Sequence, residues 1–357
     1  MNVLLTCVGR RSYLVSYFRE ALRGRGRVIV TNTHADTSGM NEADVAIIVP
    51  PSQDPSYINV IEDICRHYDV GMLCSLHDID VFVLAQHRNR LVGAGVIPIL
   101  PDPEWARICL DKYECGLKLR ESGLEVPWTS ISLEETKEAL DKNLVRFPLM
   151  LKPRMGFGSL HQHPCCSLAD LEVLHRQICD ELERSIVHQF LPGLSDTSVL
   201  IQEFIDGKEY RLNLVNDLEG QYATHFACEV HAMRTGESDV ATTVDPDFFG
   251  DIPIRLSQLT RHPGIFGIDI MIHDGVPKII DINPRFTGEY PFMHLAGANI
   301  PAALLAWAWG EEPESEWLKP EVGIRGYKKL VPVRVIEPIA TSFELTKLPG
   351  ESAVRKC

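Results

Sequence analysis

The sequence predicts an α/β domain with a parallel sheet at the N-terminus, followed by an α+β region built on antiparallel strands. Over residues 1–105, short apolar runs alternate with helical patterns, which is typical of a parallel sheet covered by helices on both faces. Further along, alternating strands are separated by turn residues such as Asp206-Gly207, which favours antiparallel pairing. A chain of 357 residues is long enough for two or three compact domains.

The elements of the first domain alternate in order along the chain. Apolar runs predict strands over residues 2–8, 27–33, 45–50, 70–76 and 96–101, and helical spacing predicts helices over 13–22, 56–68 and 79–91. Ligands of such sheets bind beyond the carboxyl ends of the strands. Gly9 and Arg10 follow the first strand, and Asp78 and Asp80 follow the fourth, so we expect them in a pocket. A solvated helix start is an equally good interpretation of Arg10.

The rest of the chain mixes helices with strands. Helices are predicted over 103–123, 167–185 and 290–309, and strands over 147–153, 199–205, 210–216, 221–233 and 326–336. The turn pair Asp206-Gly207 predicts a hairpin between the strands 199–205 and 210–216. Asp111 and Lys112 lie near the middle of the first of these helices, and the turn RMGFGS follows the strand 147–153.

Composition excludes several classes of function. The 35 basic and 49 acidic residues give a formal charge of −14, which argues against nucleic-acid and anionic-membrane partners because both need a basic surface. No apolar run approaches the ~20 residues of a membrane span, and the start has no basic leader. The ten cysteines form no CxxC pair. We therefore expect free thiols in a cytoplasmic protein.

Residues 267–288, GIDIMIHDGVPKIIDINPRFTG, predict a hairpin with one buried face. Ile268, Ile270 and Ile272 share one parity, and so do Ile280 and Ile282, so each strand has an apolar face. If the two faces coincide, paired residue numbers sum to an even number. That register requires a loop of three or five residues rather than two.

The opposite face of this hairpin gathers polar side chains. In the predicted register Asp269 lies near Asp281, with Asn283 on the same face. Two close carboxylates repel each other unless a cation lies between them, and a set of oxygen donors favours magnesium or manganese over zinc. Lys112, Lys152 and the turn 156–159 could hold phosphates beside the metal. The residues alone support equally well a polar face turned towards water.

Four segments in order resemble the ATP-grasp superfamily: Asp111-Lys112, LKPRMGFGS, IQEFIDGKEY and the pair GIDIMI and IIDINPRFTG. The start of the chain and the NPR segment look most like the large subunit of carbamoyl-phosphate synthetase. The resemblance implies a pre-ATP-grasp domain over 1–105, linker helices and a lid subdomain over 106–200, and a C-terminal catalytic domain over 201–357. It therefore implies an ATP-grasp fold for the α+β region.

The resemblance also implies which residues bind the nucleotide. Two lysines look like the cations that hold the ATP phosphates, Lys112 and Lys152. The phosphate-covering loop corresponds to Gly156, Gly158 and Ser159. The hinge that holds adenine corresponds to Glu203, Phe204 and Ile205, and Glu209 resembles the carboxylate that binds the ribose.

The resemblance also implies which residues bind the metal, the transferred phosphoryl group and the substrate. Asp269, Asp281 and Asn283 resemble the family's magnesium ligands, although the family more often has glutamate at the position of Asp281. Arg285 resembles the arginine that meets the transferred phosphoryl group, and its alternative is a structural arginine paired with a loop carboxylate. The predicted catalytic residues are Lys152, Asn283 and Arg285. The predicted substrate residues are Gly9, Arg10, Asp78, Arg234 and Arg285, and for Arg234 a surface position is an equally good interpretation.

The implied activity is ADP-forming ligation of a small carboxylate, an amino acid or a peptide, to an amine through an acyl phosphate. The implied ligands are ATP with Mg²⁺ or Mn²⁺, and a homodimer is expected by analogy. Two alternatives remain open at this point. One is a phosphotransfer enzyme of the carbamoyl-phosphate-synthetase kind, and the other is a non-catalytic ATP-binding protein.

Overall fold

The computed structural model describes residues 1–156, 161–183, 196–335, 340–341 and 355–356. The described strands form three sheets, one largely parallel and two antiparallel. Both halves of the predicted fold class are confirmed. No helix in the described part of the chain combines the length and the apolar character that a membrane span requires.

The N-terminal sheet contains five parallel strands in the order β3-β2-β1-β4-β5. They are β1 (Asn2–Thr6), β2 (Val28–Asn32), β3 (Val45–Ile48), β4 (Val70–Ser75) and β5 (Ile97–Ile99). The helices are α1 (Ser12–Leu22), α2 (Ser38–Glu42), α3 (Tyr57–His67), α4 (Asp78–Gln86) and α5 (Arg88–Gly93). Chain order reverses direction at β1, so the loops after β1 and β4 meet at the switch point of the sheet.

The connection to the second half consists of two helices rather than the single predicted helix over 103–123. They are α6 (Pro103–Leu110) and α7 (Lys112–Glu121). Asp111 between them is extended, and its carboxylate accepts hydrogen bonds from the backbone N–H groups of Tyr113 and Glu114. This cap starts a new helix at Lys112, which the continuous apolar pattern did not reveal.

A four-stranded antiparallel sheet follows, in the order β6-β9-β7-β8. Its strands are β6 (Thr129–Ser130), β7 (Leu149–Pro153), β8 (His163–Cys165) and β9 (Val199–Glu203). Two helices accompany it, α8 (Leu133–Asp141) and α9 (Leu168–Glu183). Lys152 lies near the end of β7, so its position depends on the ladder between β7 and β9.

The third sheet has six strands in the order β14-β13-β10-β11-β12-β15, all paired antiparallel. They are β10 (Lys208–Asn216), β11 (Tyr222–Arg234), β12 (Glu237–Val244), β13 (Gly264–His273), β14 (Val276–Asn283) and β15 (Arg325–Tyr327). The helices are α10 (Ile252–Thr260), α11 (Tyr290–Leu295) and α12 (Ile300–Ala308). The last two replace the single helix predicted over 290–309, and β15 is shorter than the predicted strand 326–336. The prediction contained neither β12 nor α10.

The predicted hairpin between 199–205 and 210–216 is wrong. The first strand, β9, pairs with β6 and β7, whereas β10 pairs with β11 and β13 in the other sheet. Asp206 and Gly207 therefore connect two sheets. A Cβ atom on Gly207 would lie 2.2 Å from the carbonyl oxygen of Ile272, so this glycine permits a close backbone approach.

Two short C-terminal strands complete the first sheet. They are β16 (Ala340–Thr341) and β17 (Arg355–Lys356), and both pair with β3, the first parallel and the second antiparallel. The described end of the chain therefore returns to the N-terminal sheet.

Candidate active site

The hairpin of β13 and β14 brings Asp269 and Asp281 opposite each other, as the parity of the isoleucines predicts. They are paired in the ladder, as are Gly267 and Asn283. The predicted loop length is wrong, however. His273 pairs with Val276, which leaves a two-residue turn of Asp274 and Gly275, both with positive φ.

A bulge next to Asp269 reconciles this tight turn with the register of the acids. The ladder shifts by one residue between Asp269 and Ile270, so Ile270 faces Ile279 instead of Ile280. Ile279 is consequently buried in the apolar face, whereas Ile280 lines the cleft. Bulges of this kind turn side chains towards a site.

Asp269 lies in a crowded set of charges. Arg211 of β10 contacts it at 3.3 Å and contacts Glu209 at 2.5 Å. The pKa of Asp269 is raised to about 7 in total, because burial raises it more than Arg211 lowers it, and the neighbouring charge of Asp281 adds to the rise. The described residues therefore compensate this carboxylate only in part.

Two lysines approach the same face from different elements. The Nζ atom of Lys112, at the start of α7, donates to Oδ2 of Asp281 at 2.6 Å. Lys152 is 3% exposed, and its Nζ atom donates to Oε1 of Gln202 at 2.9 Å. The pKa of Lys152 is lowered to about 8 in total, because burial and the neighbouring charge of Lys112 outweigh the opposing effect of Asp281 and Asp269. Such a lysine gains stability from any anion that binds beside it.

Arg285 forms a two-pronged ion pair with Asp78, which comes from the start of α4. Its Nε and Nη2 atoms donate to the two carboxylate oxygens at 2.7 Å each. Nη2 also donates to Oδ1 of Asn283 at 3.1 Å. Burial alone would raise the pKa of Asp78, but Arg285 outweighs it and holds this pKa well below the usual range. This ion pair connects the parallel sheet to the hairpin. Such a contact is what we expect if Arg285 is a structural arginine paired with a carboxylate.

These side chains line one cleft of about 350 Å³. Ten of the residues predicted for the site lie on its walls. They are Arg10, Asp78, Lys112, Lys152, Gly156, Glu209, Asp269, Asp281, Asn283 and Arg285.

Five other predicted residues are described but lie outside the cleft walls. They are Gly9, Glu203, Phe204, Ile205 and Arg234. The carboxylate of Glu203 pairs with Lys278 at 2.8 Å, and its N–H donates to the carbonyl of Trp128. Arg234 pairs with Asp239. Gly158 and Ser159 fall outside the described residues.

Asp80 does not belong to the cleft, contrary to the expectation that it follows Asp78 into the pocket. It is fully buried and accepts hydrogen bonds from Thr6, from Tyr57 at 2.5 Å and from Ser75 at 2.7 Å. These three donors fasten β1, β4 and α3 to the start of α4. Asp80 is thus a structural residue beneath the cleft.

Sequence reasoning missed four charged residues on the cleft walls, Arg11, Arg211, Glu237 and Glu289. A signal existed for Arg211. Glu209, Arg211 and Asn213 alternate along β10, and in an antiparallel sheet that parity places them on one face. Which of the two faces points into the cleft depends on the strands that pair with β10. One of them is β13, and Arg211 lies opposite Asp269 in that ladder.

The donor set fits a hard divalent cation. Asp269, Asp281 and Asn283 offer oxygen atoms, as Mg²⁺ prefers. No group of three or more His, Cys, Asp or Glu side chains in the described residues is arranged for a metal. A cation here would therefore have to complete its coordination with the amide, with water or with a phosphate-bearing ligand.

The fold and this face define an ATP-grasp protein. The model of the ATP-grasp domain matches residues 109–289, which is half of the chain and includes the hairpin of β13 and β14. A second model, described as the PylC-like N-terminal domain, matches residues 3–99. The chain belongs to the ATP-grasp family.

Curated relatives point in the same direction. The chain is 27% identical over 275 residues to the carbamoyl phosphate synthase large chain of Archaeoglobus fulgidus. That match covers 74% of this chain but only 23% of the synthase. The chain thus spans about a quarter of that relative's length.

Solved structures share the fold at low identity. An L-amino acid ligase from Bacillus licheniformis superposes with a TM-score of 0.68 at 18% identity, covering 93% of this chain and 81% of the ligase. The biotin carboxylase domain dimer of 2-oxoglutarate carboxylase from Hydrogenobacter thermophilus, in complex with MgADP, ADP and bicarbonate, gives 0.70 at 16% identity. There the coverage is 87% of this chain and 70% of that domain.

Proposed function

We propose that this protein uses ATP to activate a small carboxylate as an acyl phosphate and then joins it to an amine, releasing ADP and phosphate. One observation supports this most strongly. The facing acids Asp269 and Asp281, the amide of Asn283 and the lysines Lys112 and Lys152 line a single cleft in an ATP-grasp chain.

The lysines are suited to the phosphates of ATP. Lys152 is buried with an amide as its hydrogen-bond partner, so its charge is available to an anion. Lys112 forms a salt bridge with Asp281. Its ammonium group can turn towards a phosphate when another cation binds that carboxylate. A lysine acts as a compact point charge in such a site. Gly156 on the cleft wall begins the proposed phosphate-covering loop.

Asp269, Asp281 and Asn283 would hold magnesium. The ion supplies neutralisation of phosphate charge when it is bound. Its binding would also remove the repulsion between the two facing acids, because both could then be ionised beside a cation.

The chain's own groups would orient the reaction. A substrate carboxylate oxygen attacks the γ-phosphorus, and the bond to ADP breaks. The amine then attacks the acyl carbon, the bond to phosphate breaks, and the amine loses a proton to solvent. Lys152 and Arg285 would stabilise the charge that develops during phosphoryl transfer. The guanidinium of Arg285 forms a bidentate salt bridge with Asp78, which holds it in place beside Asn283.

Other parts of the nucleotide site remain part of the proposal. Glu209 lies on the cleft wall and would bind the ribose, whereas Glu203, Phe204 and Ile205 would hold adenine from outside the described cleft walls. A homodimer and a cytoplasmic location are proposed as well. Eight cysteines of the described residues, all except Cys179, are free thiols, as in proteins of reducing compartments.

The test is ADP release from MgATP with a panel of small carboxylates, with hydroxylamine added to trap acyl phosphate as a hydroxamate. We compare the wild type with Asp281→Asn and with Asp274→Asn as a matched control. Asp274 is an acid of the same hairpin, at its turn, with a side chain 89% exposed. Loss of hydroxamate in the first variant alone would support the proposal.

Three other outcomes separate the alternatives. AMP and pyrophosphate instead of ADP would contradict γ-phosphoryl transfer. ATP consumption with bicarbonate but no hydroxamate would favour a phosphotransfer enzyme like carbamoyl phosphate synthase. ATP binding without turnover across the panel would favour a non-catalytic nucleotide-binding protein.

A further inference from the structure

The end of the cleft that faces the N-terminal domain carries an excess of positive charge. Arg11 and Lys328 contact the carboxylate of Glu237 at 3.5 Å and 3.0 Å, and Arg10 lies beside them. Three cations thus surround one acid. Even when Glu289 is counted too, the balance at this end stays positive, although the whole chain has a charge of −14.

Arg10 is the cation best placed to meet a ligand. Six arginine and lysine side chains of the described residues line the cleft, and four of them have carboxylate partners there. The other two are Lys152, at the phosphate end, and Arg10. The side chain of Arg10 is exposed, and its Nη1 atom donates to the hydroxyl of Thr235 at 2.9 Å. Most of its five N–H donors are therefore available.

The turn that meets Arg10 is strained. Thr235 and Gly236 form the two-residue turn between β11 and β12, and both have positive φ, 48° and 77°. A β-branched residue rarely adopts this conformation. Strain of this kind is found where a side chain must be presented at a site, and here it directs the threonine hydroxyl towards Arg10.

A second, independent observation comes from Ser238. It is 2% exposed and lines the same cleft, yet its hydroxyl has no hydrogen-bond partner within the described residues. An unsatisfied buried hydroxyl costs about 1–3 kcal/mol. A ligand that accepts a hydrogen bond from Ser238 would recover this cost.

We propose that Arg10, Thr235 and Ser238 form a subsite for a carboxylate that does not react, so that the amine substrate is an amino acid with a free carboxylate. This rests on the proposed function. The carboxylate that becomes phosphorylated must lie beside Lys152 and the hairpin acids. Arg10 follows β1 and contacts the turn between β11 and β12, whereas Lys152 comes from β7. We therefore assign an anion at Arg10 to the other substrate. An arginine fork with neighbouring hydroxyls matches the geometry of a carboxylate.

The experiment measures ADP release with L-amino acids as amines, each compared with its α-amide, which lacks the negative charge. In the wild type the free acids should exceed the amides by about tenfold or more in kcat/KM, which corresponds to one charge-assisted contact. Arg10→Met should abolish this preference by raising KM for the acids about tenfold more than KM for the amides. Ser238→Ala should reduce it by about threefold. Arg66→Met, an arginine with a side chain 59% exposed on α3, is the control.

Hydroxamate formation distinguishes the two levels of the proposal, because it needs no amine substrate. If hydroxamate forms but the free acids and the amides react equally well, the subsite is overturned and the ligase activity stands. The same conclusion follows if amines other than amino acids are the substrates. No ADP release with any carboxylate would overturn both. An unchanged preference in Arg10→Met would also overturn the assignment of Arg10.

Discussion

The chain has two pairs of acids near the cleft, Asp78 with Asp80 and Asp269 with Asp281. The two pairs differ in how the protein compensates their negative charge. After β4, Asp78 binds Arg285 with both oxygens and Asp80 accepts from three hydroxyl groups. On the hairpin, Asp269 and Asp281 face each other. Burial and Asp281 raise the pKa of Asp269 to about 7, although Arg211 opposes the rise.

The difference shows what distinguishes a structural acid from a binding acid. Burial does not separate them, since the side chains of Asp78 and Asp281 are 15% and 16% exposed. Compensation does. The chain itself completes the hydrogen bonding of the first pair, whereas the second pair leaves a deficit that a cation would fill. Substitutions should therefore harm stability at the first pair and ligand binding at the second.

Breaking the ion pair of the first region should have the largest effect. Asp78→Ala would leave the guanidinium of Arg285, 10% exposed, without its carboxylate. We expect a loss of about 3–5 kcal/mol in the free energy of unfolding, measured by urea titration. The control is Asp63→Ala, whose partner Arg66 is on the surface, with a loss below about 1 kcal/mol. Equal losses would contradict the comparison.

Asp80→Ala should also destabilise the fold, by about 3 kcal/mol, because the hydroxyls of Thr6, Tyr57 and Ser75 would lose their acceptor. ATP affinity of the folded fraction should stay within about twofold of the wild type, since Asp80 lies outside the cleft. The measurement combines urea unfolding with a nucleotide titration below the transition. A selective loss of ATP affinity would show that Asp80 belongs to the site.

The hairpin pair should show itself in the pH dependence of stability without metal. The folded pKa of Asp269, about 7, lies above its ordinary value of 3.8. Its contribution is therefore complete below about pH 4 and is lost as the pH rises through about 7. We expect a decline on the order of 2 kcal/mol between these limits in EDTA, with the exposed fifth of the side chain reducing it.

Asp269→Asn tests this contribution, because an amide does not titrate. The difference in unfolding free energy between wild type and variant should change with pH in the sense just given. Added Mg²⁺ with ADP should reverse the decline in the wild type alone. A pH-independent difference would show that the pKa of Asp269 is not raised in the folded protein.

The smallest effect concerns the turn that sets the register. Gly275 has φ of 79°, so Gly275→Ala should cost about 1 kcal/mol. Gly116 lies inside α7 with open space where a Cβ would be, and Gly116→Ala should stabilise by up to about 1 kcal/mol. Opposite signs in thermal unfolding are expected. The same sign for both would contradict the two-residue turn.

The fold class and the facing acids were predictable, because strand parity decides which side chains share a face. The parity of the isoleucines, together with the turn signal at 273–277, predicted that Asp269 lies near Asp281. The actual turn has two residues, and the bulge beside Asp269 compensates for it. A bulge leaves no clear trace in the apolar pattern, since Ile279 and Ile280 are interchangeable in hydrophobicity.

The errors share a physical cause, which is that local signals do not specify tertiary partners. Asp206-Gly207 has the chemistry of a hairpin turn, yet it joins two sheets. Asp111 interrupts a helix because its side chain caps the next one. The pair of Arg285 with Asp78 spans 207 positions in the chain, and only the folded molecule shows it. The roles of the site residues remain predictions.

The central claim is that the hairpin acids hold a divalent cation together with a nucleotide. The most direct test is Mn²⁺ binding followed by electron paramagnetic resonance, with and without ADP, in the wild type, Asp281→Asn and Asp274→Asn. The account predicts ADP-dependent Mn²⁺ binding that is weakened at least about tenfold in Asp281→Asn and unchanged in Asp274→Asn. Equal binding in all three proteins would contradict it.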